Sequence, residues 1–392
     1  MSPTWRGLVA AAGVGALLLV SCGPGDTSEG GLPADAEGIA SRDPTALTRE
    51  DLTSVLSPDS IPSIDNPKFV SSDQAAAWLA SEEPVAVLEI KRDARAYPLQ
   101  IMTWHEIVND VVGDDPVAVT YCPLCNSALA YPRTVGNRVL EFGTSGSLYN
   151  SALVMYDRQT ESLWLHFEGV AIEGPLEGTR LEFIPVQILS FEQFRDEHPD
   201  GKVLSRGTGF SRAYGQNPYE FYDTAGSPQR RGRAGIGSQR PFLFEGELDG
   251  RMRALARVVG VEIGGEGVAV PYDLLAAGGR AAAVHATIGG QDIVVFWRAG
   301  VRSALDNPQI SLGRDVGSSG VFVPLSRGRV LTYQAEGGLI RDEQTGSIWS
   351  LAGRATAGPL AGEELPKVNH VDTFWFAWSS HNPDTAIFER GG

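Results

Sequence analysis

The segment that decides the fold is Asp157-Arg-Gln-Thr-Glu-Ser-Leu-Trp164, because a close variant, Asp342-Glu-Gln-Thr-Gly-Ser-Ile-Trp349, recurs 185 residues later (342 − 157). Two more pairs of matching segments follow in the same order at an offset of 184: Gly174-Pro-Leu-Glu-Gly178 with Gly358-Pro-Leu-Ala-Gly362, and His198-Pro-Asp200 with Asn382-Pro-Asp384. Three matches in nearly one register indicate an internal duplication, since a recurring segment at a fixed spacing is typical of repeated structural units.

The similarity between the two regions extends upstream of these segments. Leu88-Glu-Ile90 matches Val261-Glu-Ile263, and each match is followed by a proline at the same spacing. We therefore predict a first copy of the repeat over residues 61–205 and a second copy over residues 241–390. Residues 206–240, between the copies, are predicted to form a connector.

Each copy is predicted to contain more strand than helix. Glycine (46 residues) and proline (24 residues) are abundant, which suits a fold with many turns. In the first copy we predict strands from Val85 to Ile90 and from Ala94 to Tyr97, then a helix from Pro98 to about Asn109. A second helix, starting after Ser190, begins with a capping box. The predicted fold class is α+β, mostly antiparallel β, with the two tandem copies packed as a pseudo-symmetric pair.

The composition is that of a folded, acidic protein. Of the 392 residues, 42% are hydrophobic and 20% are charged, which excludes a disordered or collagen-like chain. The net charge of −16 and the pI of about 4.8 argue against the basic surface of a nucleic-acid binder, so no nucleic-acid partner is expected. Three cysteines are too few for a scaffold stapled by disulfides.

The N-terminal residues have the pattern of a bacterial lipoprotein signal. Arg6 precedes an apolar run, residues 7–20, that is too short to span a bilayer but suits the hydrophobic part of a signal peptide. The run ends in Leu19-Val-Ser-Cys22, which resembles a lipobox, although a plain secretory signal is the alternative. We predict a signal peptide over residues 1–21, lipidation of Cys22, an extracytoplasmic location with a lipid anchor in the cell membrane, and a flexible tether over residues 22–60.

The two copies differ in the residues that carry chemistry. The first copy contains Tyr121-Cys-Pro-Leu-Cys125, whereas the second has Trp297-Arg-Ala-Gly-Val301 and no cysteine. His105 of the first copy lies opposite Gly278 of the second. The first copy also has a longer glycine- and serine-rich loop over residues 143–150. We therefore predict one functional site, in the first copy, with the second copy as its structural partner.

The pair Cys122 and Cys125 allows three roles, because two intervening residues place both sulfurs within reach of one another. The pair forms a reversible disulfide, supplies half of a tetrahedral metal site, or closes a structural disulfide. The redox role requires an accessible sulfur and a thiolate stabilised by turn amides or by His105. The metal role requires more ligands, and His105 is the candidate. On the predicted helix His105 shares a face with Ile101 and Val108, so it is either a buried core histidine or a catalytic partner.

The residues around the cysteine pair complete the predicted site. Tyr121 precedes the pair, and Tyr149 and Asn150 end the longer loop, so these three are predicted to bind a ligand or substrate. The motif is predicted to lie on a turn between two strands, from Val117 to Tyr121 and from Ser127 to Tyr131. No phosphate-binding glycine loop or nucleotide fingerprint identifies a cofactor.

Several stretches together resemble one family, DUF3179, a bacterial family of unknown function. The stretches that carry the resemblance are Asp65-Asn-Pro-Lys-Phe69, Ala94-Arg-Ala-Tyr-Pro98, Trp104-His-Glu-Ile-Val-Asn-Asp110, Tyr121-Cys-Pro-Leu-Cys125, Tyr149-Asn-Ser151, Met155-Tyr-Asp-Arg158 and Phe374-Trp-Phe-Ala-Trp378. The family typically has glycine after the second cysteine, where this chain has Asn126, and asparagine tolerates the same left-handed backbone. Some members use selenocysteine at this motif, so the resemblance implies redox chemistry.

The sequence therefore predicts a membrane-anchored lipoprotein outside the cytoplasm with a thiol–disulfide redox site at Cys122 and Cys125. Cys122 is predicted to attack a disulfide or peroxide, and Cys125 to resolve the intermediate. The redox partner is a protein or a small molecule that the sequence does not identify. The alternatives are a zinc- or copper-binding lipoprotein without catalysis, which would use Cys122, Cys125 and His105, and a structural or interaction module.

Overall fold

The computed structural model describes residues 43–224 and 240–389. The predicted signal peptide, the lipidation residue Cys22, the first part of the tether and residues 225–239 of the connector lie outside the described residues. Within the part of the chain that is described, no helix is both long enough and apolar enough to span a membrane.

The described residues contain many short strands and five short α-helices. The strands of the first predicted copy and of the segment before it are β1 Thr53–Ser54, β2 Phe69–Ser71, β3 Pro84–Ile90, β4 Asp93–Pro98, β5 Ile107–Val112, β6 Asp115–Cys122, β7 Ser127–Pro132, β8 Thr134–Val135, β9 Arg138–Val139, β10 Phe142–Tyr149, β11 Ala152–Asp157, β12 Leu163–Leu165, β13 Ala171–Glu173, β14 Gln187–Ser190 and β15 Lys202–Leu204. Those of the second are β16 Arg257–Ile263, β17 Glu266–Pro271, β18 Ala281–Ile288, β19 Gln291–Arg298, β20 Ser318–Phe322, β21 Leu325–Ser326, β22 Arg329–Val330, β23 Tyr333–Glu336, β24 Leu339–Asp342, β25 Ile348–Trp349, β26 Ala355–Ala357, β27 Val371–Phe374 and β28 Ala386–Ile387. The helices are α1 Ser72–Ala75, α2 Leu99–His105, α3 Phe191–Glu197, α4 Tyr272–Ala276 and α5 Trp375–His381.

The strands form small sheets that are almost entirely antiparallel, which confirms the predicted α+β class. Among the strands before residue 225, the orders are β14-β3-β4-β15-β2, β5-β6-β7 and β1-β10-β11-β12-β13. Among the strands after residue 240, they are β27-β16-β17-β28, β18-β19-β20 and β23-β24-β25-β26. Among the described strand pairs, only β4–β15 and β17–β28 are parallel. Two further antiparallel hairpins, β8–β9 and β21–β22, each consist of strands that are two residues long.

The two similar segments at residues 157–164 and 342–349 each form a turn that is held by a buried aspartate. The carboxylate of Asp157 accepts hydrogen bonds from the backbone amide of Thr160 at 2.7 Å and from Nε1 of Trp164 at 3.0 Å. Asp342 accepts the corresponding bonds from the Thr345 amide at 2.6 Å and from Nε1 of Trp349 at 3.0 Å. Each aspartate thus joins a tight turn to a buried indole, which explains why these residue types recur together.

The helix predicted from Pro98 to Asn109 is shorter than expected, because α2 ends at His105. Glu106 has a positive φ of 58°, which interrupts the helix. The following run is rich in β-branched residues, which favour strands, and it forms β5 against β6. The apolar helical face predicted for Ile101, His105 and Val108 was therefore wrong.

Part of the segment predicted to be a flexible tether is ordered on the surface of the first copy. Residues 44–46 and 49–51 form two short 3-10 turns, and β1 pairs with β10. Leu47 is buried against the outer strands β12 and β13. Leu47 therefore covers sheet surface, whereas Val55 and Leu56 of the same segment are exposed.

Candidate functional site

The cysteine motif lies on the turn between β6 and β7, as the sequence predicts. Cys122 is the last residue of β6, and Ser127 is the first residue of β7. The amide of Asn126 donates to the carbonyl of Pro123 at 3.2 Å, and Asn126 has a φ of 55°. This is the left-handed conformation that glycine or asparagine adopts most readily, so the turn tolerates asparagine here.

Both thiols are free, and both point into the protein interior. The exposed fraction is 2% for Cys122 and 0% for Cys125. Their Sγ atoms lie 3.9 and 3.6 Å from the same acceptor, the carbonyl oxygen of Ser151. Ser151 belongs to the turn that joins β10 to β11, so the end of the longer loop closes over the sulfurs. The sequence-based expectation of an exposed sulfur was therefore wrong.

The cysteine turn is buried by residues that come later in the chain, Thr373, Phe374 and Tyr222. The carbonyl of Cys125 accepts hydrogen bonds from the amide of Phe374 at 2.9 Å and from the hydroxyl of Thr373 at 2.8 Å. The Tyr222 hydroxyl donates to the Leu124 carbonyl at 3.0 Å. Strand β27 thus covers the turn from a position about 250 residues away in sequence, and these bonds satisfy its backbone acceptors.

The environment of Cys125 disfavours a thiolate. Burial raises the pKa of the Cys125 thiol well above its ordinary value, and the neighbouring Cys122 adds to this effect. The negative charges of Glu106 and Glu168 raise the pKa further. In this conformation Cys125 is therefore a protonated thiol, and its acidity depends on the charge state of nearby carboxyl groups.

Glu106 is a buried carboxyl group beside the cysteine turn. Burial raises its pKa from 4.5 to about 7, and the hydroxyl of Tyr219, which donates to Oε1 at 3.0 Å, partly offsets this rise. The backbone carbonyl of Glu106 accepts from the amide of Tyr121, next to Cys122, at 2.7 Å. A carboxyl group with this pKa gains and loses a proton near neutral pH, which suits it to proton transfer. Glu106 is not among the site residues predicted from the sequence, although it directly follows His105.

His105 lies outside the sulfur site. Its Nδ1 is 2.7 Å from the carbonyl oxygen of Pro62, and its Nε2 is 2.7 Å from the hydroxyl of Tyr214. A carbonyl only accepts, so Nδ1 carries the hydrogen and Nε2 accepts from the tyrosine. Burial lowers the pKa of His105, which keeps the ring neutral. Both nitrogens are used to hold the N-terminal segment and the connector, so the predicted catalytic role of His105 has no geometric basis.

The three predicted binding residues have separate positions. The Tyr121 hydroxyl is buried and donates to Oδ1 of Asn126 at 3.2 Å, so this residue stabilises the cysteine turn. The ring of Tyr149 makes an edge contact with the ring of His381, with centroids 5.5 Å apart. Asn150 has a φ of 48° and forms the turn that carries Ser151 to the sulfurs. These residues shape the site, and the structure does not gather them around one ligand.

The residues predicted as alternative metal ligands do not converge. Cys122 and Cys125 are together, but the ring nitrogens of His105 are occupied by Pro62 and Tyr214. Within residues 43–224 and 240–389, no group of three or more His, Cys, Asp or Glu side chains is placed to hold a metal ion. The described geometry therefore gives the cysteine pair no third ligand.

Comparisons with known proteins place the chain in a family without giving it an activity. No curated protein and no solved structure matches it. A family model described as "Protein of unknown function (DUF3179)" matches residues 58–385, which is most of the chain and includes the whole cysteine site. The chain therefore belongs to the DUF3179 family.

Proposed function

We propose that this chain is a thiol–disulfide redox protein in which Cys122 and Cys125 alternate between a dithiol and a disulfide. The observation that carries this proposal is the convergence of two free thiols on one acceptor, the carbonyl oxygen of Ser151, at 3.9 and 3.6 Å. The two thiols also interact directly, because Cys122 is a hydrogen-bond partner of Cys125, and side-chain rotation would bring the sulfurs together. A pair with a purely apolar packing role would not need a shared polar contact.

The proposed reaction transfers two electrons and two protons from the thiols to an acceptor. A small disulfide is reduced to two thiols, or a peroxide is reduced to an alcohol and water, while the Sγ–Sγ bond forms between Cys122 and Cys125. Because burial and neighbouring charge keep Cys125 protonated, Cys122 makes the first attack and Cys125 resolves the intermediate. Glu106, with a pKa of about 7, takes the proton of the attacking thiol and passes it on to the reduced acceptor, so that both thiol protons end on the product.

The burial of both sulfurs favours a small acceptor over a folded protein. The attacking sulfur must lie in line with the bond that it breaks, and a protein disulfide cannot reach a side chain that is 2% exposed. We expect reaction to follow local opening of the turn between β6 and β7, so that the reaction rate depends on the free energy of that opening.

We infer that residues 61–205 and 241–390 are copies of one unit, in which the second copy supports the site. The order β14-β3-β4-β15 corresponds to β27-β16-β17-β28, and the last strand is parallel to its neighbour in both. The hydrogen bonds of Asp157 and Asp342 correspond as well. Strand β27 of the second copy binds the cysteine turn directly.

The lipobox-like sequence at Cys22 supports an extracytoplasmic, lipid-anchored protein.

Trapping the reaction intermediate tests the redox proposal. Reduced wild-type protein, Cys122→Ser and Cys125→Ser are each incubated with hydroxyethyl disulfide or cumene hydroperoxide and examined by mass spectrometry. We expect Cys125→Ser to accumulate on Cys122 a mixed disulfide with hydroxyethyl disulfide or a sulfenic acid with cumene hydroperoxide. Cys122→Ser should accumulate neither adduct, and the wild type should form an intramolecular disulfide. The absence of any adduct and of any intramolecular disulfide would refute the proposal. Stoichiometric zinc or copper in the same wild-type sample, lost in Cys125→Ser, would support the metal-binding alternative.

A further inference from the structure

The side chain that faces Cys122 across its hairpin is a hydroxyl group, that of Ser127. Ser127 is the first residue of β7, and its partner in the strand register is Cys122, the last residue of β6. Residues directly opposite one another on antiparallel strands carry their side chains on the same face of the sheet, with Cβ atoms about 4.5–5.5 Å apart. Rotation of the serine side chain therefore brings its hydroxyl within reach of the Cys122 sulfur.

The Ser127 hydroxyl is buried and has no hydrogen-bond partner among the described residues. A buried hydroxyl is normally paired, because an unpaired one costs free energy that a methyl group in the same place would not cost. Alanine would therefore suit the resting fold better than serine at this position. The hydroxyl calls for a role in a state of the site other than the resting dithiol.

The serine at the same place in the sheet β18-β19-β20 does have a partner. Ser318 is the first residue of β20, as Ser127 is of β7, and its register partner on β19 is Arg298. The Ser318 hydroxyl donates to the backbone carbonyl of Ile188. The serine that faces an arginine is thus used by the fold, whereas the serine that faces a cysteine keeps its hydrogen free.

A neutral hydrogen-bond donor is the kind of group that a thiolate needs at this position. A buried anion is stabilised by donated hydrogen bonds or by positive charge. His105, the partner predicted from the sequence, lies outside the sulfur site. The nearby carboxyl groups of Glu106 and Glu168 disfavour negative charge at the sulfurs, because they raise the pKa of Cys125. A serine hydroxyl always carries one hydrogen and rotates to direct it.

We propose that Ser127 stabilises the reactive form of Cys122 by donating a hydrogen bond from its Oγ to the Cys122 thiolate. This inference rests on the proposed redox function, since it assigns a residue to the attacking sulfur of that reaction. No covalent bond forms or breaks at Ser127: the thiol proton leaves to Glu106, and the serine turns its own hydrogen toward the sulfur. Both residues belong to strands, so opening of residues 123–126 leaves them opposite one another.

The pH dependence of Cys122 alkylation tests this role. The variants are made in a Cys125→Ala parent, which keeps one thiol in the site and adds no hydroxyl. Each protein is reduced and treated with iodoacetamide from about pH 5 to about pH 10, and mass spectrometry follows alkylation on the peptide that contains Cys122. Ser127→Ala should raise the midpoint of the pH–rate profile by about one to two pH units, because a hydrogen bond to a charged group is lost.

The same variant should also react more slowly with a disulfide. Near neutral pH, Ser127→Ala should form the mixed disulfide with hydroxyethyl disulfide about three- to tenfold more slowly than the parent. The thiolate becomes scarcer by the full shift of the midpoint, and its higher nucleophilicity recovers about half of the loss on a logarithmic scale.

Ser326→Ala is the matched control. Ser326 lies on β21 in the hairpin β21–β22, and its buried Oγ also has no partner among the residues that the structure describes. This variant should keep the midpoint of the parent. A change in how often the cysteine turn opens would scale the rate at every pH and leave the midpoint in place, so the midpoint separates a lost hydrogen bond from a loosened fold.

An unchanged midpoint in Ser127→Ala, or an equal shift in Ser326→Ala, would overturn the role of Ser127. Strong destabilisation of Ser127→Ala in urea would also overturn it, because the hydroxyl would then be paired in the resting fold. These results would leave the redox function standing as long as the Cys125→Ala parent forms the mixed disulfide. A shifted midpoint in a parent that forms no mixed disulfide would support the Ser127 hydrogen bond and refute the redox function.

Discussion

Replacing Glu106 with glutamine should change how the stability of the protein depends on pH. Burial raises the pKa of Glu106 from its ordinary 4.5 to about 7. At 1.36 kcal/mol per pH unit, keeping this carboxylate ionised in the folded chain costs about 3 kcal/mol. The folded chain holds the proton more tightly than the unfolded chain, so this group lowers the free energy of unfolding as pH rises from about 4.5 to about 7. Above about pH 7 the contribution of Glu106 to the free energy of unfolding no longer changes with pH.

Glu106→Gln keeps the size of the side chain and an acceptor for the Tyr219 hydroxyl, which now lies 3.0 Å from Oε1. The variant lacks the ionisation cost, so its free energy of unfolding should rise relative to the wild type by about 3 kcal/mol between pH 4 and pH 8. Other buried acids, such as Glu83 and Asp372, also have raised pKa values, but both proteins contain them and the difference cancels their effect.

Urea unfolding at pH 4, 5, 6, 7 and 8 measures this difference. Glu161→Gln is the matched control, because Glu161 is exposed and has the same φ of 58° as Glu106. The control should stay within about 0.5 kcal/mol of the wild type at every pH. A difference between Glu106→Gln and the wild type that does not vary with pH would refute the assignment of Glu106 as the neutral-pH proton carrier.

Three further predictions concern the turns and the connector. Asp157→Ala and Asp342→Ala should each lower the free energy of unfolding by about 2–4 kcal/mol, since each leaves an indole and a backbone amide without their charged acceptor. Urea unfolding that gives values more than about 2 kcal/mol apart would contradict the equivalence of the two turns. Tyr214→Phe should cost about 1 kcal/mol by removing the hydrogen bond to His105, and in the Cys125→Ser background it should leave adduct formation at Cys122 unchanged; loss of the adduct would return His105 to the mechanism. Asn126→Gly should stabilise the protein by up to about 1 kcal/mol, because it relieves a positive φ, with no effect on disulfide formation; strong destabilisation would show that the hydrogen bond from Tyr121 dominates.

The features that the sequence predicts well depend on local interactions. The helix after Ser190 forms with the expected capping box, in which the Ser190 hydroxyl accepts from the Gln193 amide at 3.1 Å. The turn at Asn126 forms because asparagine tolerates a positive φ. The short apolar run of β3, whose first five residues are buried, is sufficient to predict a strand, and that strand pairs with β4 as a hairpin.

The features that the sequence does not predict depend on residues that are distant in the chain. Burial of the cysteine turn requires Thr373, which binds the Cys125 carbonyl from a position 248 residues away. The Glu168–His381 pair spans 213 residues. The end of α2 was misplaced because the pairing of β5 with β6 outweighs the helical pattern that Pro98 suggests.

The reduction potential of the Cys122–Cys125 pair tests the central claim most directly. The purified protein is equilibrated in glutathione buffers for the less reducing potentials and dithiothreitol buffers for the more reducing ones. It is then quenched in acid, unfolded to expose the buried sulfurs, alkylated and examined by mass spectrometry. We expect a single two-electron transition between about −120 and −270 mV, the range of known thiol–disulfide oxidoreductases. A transition below about −300 mV would show a permanent structural disulfide, and a pair that stays reduced in every buffer would show two inert core thiols; either result would contradict a redox function.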